Sequence, residues 1–391
     1  MIANGLEDVI VTQTTLSRVD GERGGLIYRG YDIRDLARAV SFKEVAHLMW
    51  YGALPTRAQL DALKKQLATH RALPDAALQI LRALSKHTAP MDALRTLVSA
   101  LGAGQPFTRP DLAQAIALTA QVPVLLAAFD RARRGLEPLT PRDDLDHAAN
   151  YLYLLSGRAP SPAQANALNT YLILIADHGL NASTFAARVV ASTWSDMYSC
   201  ITAALGALKG PLHGGAPSRV LDMIEAIGSP ENAERWLRDA LARKERLMGF
   251  GHRMYKTADP RAEILRELAR EVCAPDLFTL AQHVEEAGLR LLHEHRPAER
   301  IYTNVEFYSA AVLHAVGLPK DLFTATFAVA RMSGWTAHIL EQLNHNRIIR
   351  PDAEYIGPAL QPVVPLDQRT WVGRGEDKPR RNKISVNEVE A

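Results

Sequence analysis

Cysteine is nearly absent from this 391-residue chain, with only Cys200 and Cys273 present. Two thiols so placed make neither a metal-ligand pattern nor a disulfide framework, and a cytoplasmic, reducing setting fits them. An excess of one charge is also missing: 45 Lys and Arg stand against 43 Asp and Glu, for a net charge of +2. No dense basic stripe runs along the chain, so nucleic acid is not expected as a partner. No apolar core follows the early Glu7 and Asp8, which excludes a secretory signal. No membrane span is expected either. The longest uncharged run, residues 112–129, is interrupted by Gln114, Thr119, Gln121 and Pro123 and reads as a buried core helix. Strand–helix alternation is lacking, which rules out a doubly wound sheet. There is no nucleophile elbow for a Ser-His-Asp hydrolase and no internal repeat. What remains is an ordinary globular composition, 47% hydrophobic and 23% charged, on a chain long enough to bury most of its apolar surface.

The elements present are mostly helical. Residues 11–19, the Asp20-Gly21 step and the Gly-Leu-Ile-Tyr run at 25–28 suggest one β-hairpin. Helix signals follow without pause. Ser41 with Glu44 and Thr56 with Gln59 make capping boxes, and Leu60, Leu63 and Leu67 mark an apolar helical face. Ser161-Pro162, Ser229-Pro230 and Asp259-Pro260 each open a helix, the first running to Gly179. Helical patterns over 276–294, 304–316 and 320–343 complete a count of about a dozen helices. The Gly-Pro-Leu-His-Gly-Gly run at 210–215 is the best hinge, and the charged residues from Lys378 read as a mobile tail.

Five places could carry chemistry. His178 lies at the end of an apolar helix, His213 stands between glycines, and His252 follows Gly249-Phe250-Gly251. Arg261 opens a helix behind Asp259-Pro260, where free N–H groups and a positive dipole end favour an anion. Glu306 begins another helix, and Arg331 and Arg350 lie in and beyond the last one. Each has a plain structural alternative. His178 could serve only as a dipole partner, Glu306 only as dipole compensation. Arg331, among Phe327, Ala328, Val329, Ala330 and Met332, needs a buried anion, which could be a ligand or a structural carboxylate. A metal site built from the three histidines and the glutamate competes. Against it, no pair stands at i, i+4 and the arginines would repel a cation.

These segments, in this order, resemble the citrate synthase family from the hairpin through Arg350. The Gly-x-Gly-His…Asp-Pro-Arg stretch is 249–261, with Met254 where a β-branched residue is usual. Gly-Pro-Leu-His-Gly-Gly and Asn-Val-acid-Phe-Tyr-Ser are further family marks. The resemblance implies a mainly α, two-domain helical fold, with a large domain of residues 1–214 and 325–391 and a small mobile one of 215–324. It implies an acyltransferase of the tricarboxylic acid cycle, of Si type, joining acetyl-CoA to oxaloacetate without a metal or other cofactor. His213, His252 and Glu306 would be catalytic, and His178, Arg261, Arg331 and Arg350 would bind oxaloacetate. The CoA moiety would lie against Leu247, Met248, Gly249, Phe250 and Gly251, with Arg253 and Lys256 near its phosphates. The family places Arg350 in the site of the other subunit of a homodimer, and a hairpin so near residue 1 leaves no room for an extra N-terminal domain. Two alternatives stay open. One is 2-methylcitrate synthesis from propionyl-CoA. The other is a weakly active or non-catalytic metabolite-binding relative, because Glu306 stands where the family usually has aspartate, and a methylene displaces the carboxylate by roughly an ångström.

Overall fold

The computed structural model describes residues 4–6, 9–214 and 216–369. Among them are sixteen α-helices and one small antiparallel sheet, so the mainly helical expectation holds and the helix count exceeds it. The chain divides into a unit of Met1–Ile348 and a short second unit, Ile349–Ala391.

The sheet contains one strand more than the sequence suggested. Strand β1 (Ser17–Asp20) pairs with β2 (Gly25–Tyr28), Ser17 opposite Tyr28, and β3 (Tyr31–Asp32) adds to the far side of β2. Two residues are too few to show an alternating pattern, so β3 had no signature in the sequence. The turn between β1 and β2 is pressed against residues 254–258. A Cβ on Gly21 would stand 2.0 Å from Met254 O, and Lys256 N donates to Gly21 O at 2.9 Å.

Two long helices form the centre. Leu112–Arg133 is the one helix among the described residues long and apolar enough to cross a membrane, and 78% of its apolar window is buried inside the fold. It is the buried core helix expected of a segment apolar on every face. Phe323–Asn344 is nearly as enclosed and packs against Leu112–Arg133, Ala182–Ser192, Met197–Lys209 and Pro162–Ile175. The capping pairs form as read: Ser41 N donates to Glu44 Oε2 at 2.7 Å and Thr56 N to Gln59 Oε1 at 2.8 Å.

One helix ends early. Pro162–Ile175 stops four residues short of Gly179, because its last carbonyls find tertiary partners. Arg331 Nε donates to Ile175 O at 2.6 Å, and the Tyr28 hydroxyl, 3.3 Å from Leu174 O, donates to Asp177 O at 2.7 Å just past the helix end. Orphan C-terminal carbonyls need such donors, and these come from residues far away in sequence. The residues from Lys378, and Gly215 of the glycine-rich run, lie outside the described residues. In the second unit, residues 349–369 contain no helix or strand apart from one 3-10 turn, Leu366–Gln368.

Candidate active site

Two segments are stitched together at the centre of the site. Gly251 N donates to Tyr302 O at 2.8 Å, Asn304 N to Gly249 O at 2.9 Å, and Asn304 Nδ2 to Gly251 O at 2.9 Å. Phe250 and Thr303 form the bridge between them. Gly249 has φ +86°, and a Cβ there would lie 2.7 Å from Phe307 Cδ2, so only glycine fits. His252 leaves one end of this stitch. Asn304 caps the helix Val305–Ala315 by accepting from Glu306 N at 3.1 Å, which sets Glu306 at the other end.

The protonation of His252 follows from its partners. Its Nδ1 accepts from Met254 N at 3.0 Å and Tyr255 N at 3.1 Å. Backbone N–H groups only donate, so the ring proton of the neutral imidazole sits on Nε2. Burial first, and then the Arg261 charge, push His252 down to about 4. At neutral pH it is an Nε2–H donor. His178 lies beside it, ring centroids 5.4 Å apart and edge-on, with Nε2 3.2 Å from the Tyr255 hydroxyl. Burial, with Arg261 second, holds His178 well below its ordinary value.

His213 Nε2 is 2.8 Å from Ser183 Oγ, which is itself 2.8 Å from Asn181 Oδ1, the cap of helix Ala182–Ser192. Burial and the Arg331 charge bring His213 down to about 4. The Ser183 hydroxyl donates to Asn181 Oδ1, which can only accept, so in this arrangement His213 Nε2–H donates to Ser183 Oγ; the hydroxyl can also rotate. Turned onto His213 Nε2, it leaves the imidazole proton on Nδ1.

The arginines are both buried but differently partnered. Arg261 Nε and Nη2 grip the two oxygens of Asp259 at 3.0 and 2.8 Å, and Asp259 also caps the helix Pro260–Val272 through Arg261 N at 3.0 Å. Burial alone would lower the guanidinium; Asp259 outweighs it and raises it. One fork of Arg261 is therefore committed, and the fork through Nη1 remains for a ligand. Arg331 forms no ion pair among the described residues. Its Nε is spent on Ile175 O, and the guanidinium lies 4.7 Å from the Phe327 ring. The structural carboxylate left open by the sequence is not there as a direct partner. Glu306 is half-buried, and burial raises its carboxyl while Arg261 opposes the shift.

A chain of buried groups stands behind Arg331 and His178. Arg188 Nη1 donates to His338 Nδ1 at 2.8 Å. A guanidinium cannot accept, so His338 presents Nε2–H to Asp177 at 3.1 and 3.2 Å. Burial would raise the Asp177 carboxyl; His338, and then Arg331 and Ser17, more than offset it. Asp177 is thus a buried anion that helps keep Arg331 charged without capping it. Ser17 binds both Asp177 and Gly179 N, so the β-sheet braces the His178 turn as it braces residues 254–258.

With that geometry in place, the family model for "Citrate synthase, C-terminal domain" matches residues 5–352. The chain belongs to the citrate synthase family. Citrate synthase 2 of Bacillus subtilis is 47% identical over 371 residues, covering 93% of this chain and 98% of that protein. A 2-methylcitrate synthase of Shewanella oneidensis is 40% identical, covering 93% and 97%. A citrate synthase of Thermoplasma acidophilum, solved as a ternary complex with carboxymethyl coenzyme A and oxaloacetate, superposes with a TM-score of 0.87 at 34% identity, covering 94% of this chain and all of that one.

Within this citrate synthase fold, His178, His213, His252, Arg261, Glu306 and Arg331 are linked by contact or by mutual charge effects. Arg350 lies in the second unit and is exposed. Leu247 and Phe250 turn their side chains into the core, Met248 is half-buried, and Arg253 and Lys256 are exposed. In 247–251 the backbone and the half-buried Met248 side chain are what is left to face a ligand. Sequence reading passed over Tyr255 and Asn304, which lie inside the quoted motifs, and Asp177 and Ser183, which flank His178; Asp259 it read only as a helix start. It had no means of reaching His338 or Arg188, which join the site only through packing.

Proposed function

We propose that this chain condenses acetyl-CoA with oxaloacetate and hydrolyses the thioester, giving citrate and CoA. The observation that carries this reading is a neutral, Nε2–H-bearing His252 set beside His178 and near the buried Arg261, with the buried Arg331 close to His178 and Arg261, both arginines retaining donors not spent within the fold. Such a set suits a ketone flanked by carboxylates: the imidazole addresses the ketone oxygen, the guanidinium forks the carboxylates.

Glu306 removes a proton from the acetyl methyl group. Burial makes it a stronger base than an exposed glutamate. His213 donates from Nδ1 to the thioester oxygen as the enolate forms, its Nε2 held by the Ser183 hydroxyl. The enolate carbon attacks the oxaloacetate ketone, which His252 polarises and then protonates. Water then cleaves the thioester. His178, Arg261, Arg331 and Arg350 hold the dianion. The CoA moiety lies along the backbone of 247–251, with Arg253 and Lys256 toward its phosphates. Residues 215–324 act as the closing domain; the helices between 216 and 315 pack chiefly against one another, which supports this division. The unpaired thiols, Cys200 buried and Cys273 half-buried, suit a cytoplasmic enzyme.

We also propose a homodimer with Arg350 crossing into the partner's site. Residues 349–369 supply the support: Tyr355, Ile356, Leu360, Val363 and Leu366 are between 72% and 103% exposed, an apolar display that a second copy would cover.

The 40% identity to a 2-methylcitrate synthase keeps propionyl-CoA as a second acyl donor. CoA thiol release with either acyl-CoA, for the wild type, Glu306→Asp and Glu306→Gln, tests both readings. Turnover is expected to vanish in the glutamine variant and to persist or rise in the aspartate one. A wild type no faster than Glu306→Gln removes Glu306 as the base. Faster release from propionyl-CoA transfers the assignment to 2-methylcitrate.

A further inference from the structure

Tyr171 has no part in the chemistry above. It is fully buried in the helix Pro162–Ile175, and its hydroxyl has no hydrogen-bond partner among the described residues. Buried hydroxyls are nearly always paired, because an unmet donor in a low-dielectric interior is costly. The helix that carries it packs against the three that build the site: Pro260–Val272 with Arg261, Val305–Ala315 with Glu306, and Phe323–Asn344 with Arg331. One turn beyond Tyr171, Ile175 receives Arg331 Nε.

Among the ionisable groups close enough to act on the hydroxyl, one is a carboxylate that can take its proton. Burial, then Glu306, hold the Tyr171 proton more tightly, while Arg331 and Arg261 act the other way. Arginines only donate, so they cannot take the hydroxyl proton. Tyr151, the remaining neighbour, already shares its hydroxyl with Thr326 at 2.9 Å. Glu306 is the one acceptor in that group, and no other side chain is hydrogen-bonded to its carboxylate among the described residues.

We propose that Tyr171 is a positioning residue for Glu306: with substrates bound, its hydroxyl donates to one carboxylate oxygen and leaves the other facing the acyl methyl group. The proposal rests on Glu306 being the base. A glutamate has one more rotatable bond than an aspartate, so a fixed donor at its tip removes freedom that would otherwise scatter the base away from the methyl proton.

Tyr171→Phe removes only the hydroxyl. Its expected signature is a fall in kcat of about tenfold with the KM for oxaloacetate unchanged and the thermal midpoint unchanged or higher. In a Glu306→Asp background the same substitution is expected to have little or no further effect, because the carboxylate is one methylene shorter and needs less fixing at its tip. Unchanged kcat overturns the proposal. So does a raised KM at constant kcat, which would make Tyr171 a substrate contact, or a lowered midpoint, which would make it a packing residue. An equal loss in both backgrounds also overturns it. Glu306→Gln separates the two levels. If it keeps turnover, the base assignment fails; if it is dead while Tyr171→Phe is fully active, only the role of Tyr171 fails.

Discussion

At the level of single residues, the site is built from groups whose protonation is dictated by immovable neighbours. Two backbone amides on Nδ1 commit His252 to the Nε2–H form, and a buried position keeps both His252 and His213 neutral down to about pH 4. The unfolded chain binds these protons near pH 6.5, so between about 6.5 and 4 it holds more protons than the native state. Stability from these two groups is present above that window and falls as the pH drops through it. Histidine NMR titration of the free protein is expected to show no midpoint near 6.5 for either ring, with thermal midpoints declining over the same range. Asp259 sets the Arg261 guanidinium in an orientation that leaves one fork open. Asp259→Asn would leave that buried cation unpaired, costing about 3–5 kcal/mol in denaturant unfolding and raising the KM for oxaloacetate. His252, Arg261 and Glu306 were legible because their signals are local: flanking glycines, an Asp-Pro step, a helix start. Their partners were not, because nothing local distinguishes Tyr255 or Ser183 from a surface residue.

Among the secondary-structure elements, the smallest are the ones that hold the geometry of the candidate site. The stitch between 249–251 and 302–304 spaces His252 and Glu306, which lie 54 positions apart in the chain, through three hydrogen bonds. Gly249→Ala combines a left-handed backbone with a 2.7 Å contact on Phe307. It is expected to destabilise by about 1–3 kcal/mol and to lower kcat more than an equally destabilising change remote from the stitch, measured by parallel melting and turnover. The sheet has a comparable task. Its turn presses on Met254 and its first residue holds Asp177 and Gly179. The hairpin was readable in the sequence, but its purpose was not, since its contacts lie about 160 and 230 residues downstream. The early end of the helix Pro162–Ile175 has the same origin: Arg331 supplies the carbonyl partner, and helix periodicity cannot register a donor from another helix.

For the whole molecule, the second unit raises the question of what covers its exposed apolar side chains. The proposed answer, a second copy, is testable by complementation. Arg350→Ala and Glu306→Gln are each expected to be inactive as homodimers. Co-refolded, they are expected to recover about a quarter of wild-type activity, since half of the dimers are mixed and one of two sites in each is intact. No recovery would place Arg350 in its own subunit's site. A chain ended after Ile348 is expected to shift toward monomer in sedimentation.

By itself, the sequence determined the helical class, the family resemblance and which side chains are candidates for the site, because these depend on short-range patterns: capping residues, apolar spacing, glycines beside histidines. The tertiary structure alone decided how those side chains are charged and aimed. Proton position on His252, the open fork of Arg261, the charge balance of Arg331 against Asp177 and the unmet hydroxyl of Tyr171 all depend on partners brought from distant segments. Electrostatics in a buried site is set by distance through space, and distance along the chain carries no record of it.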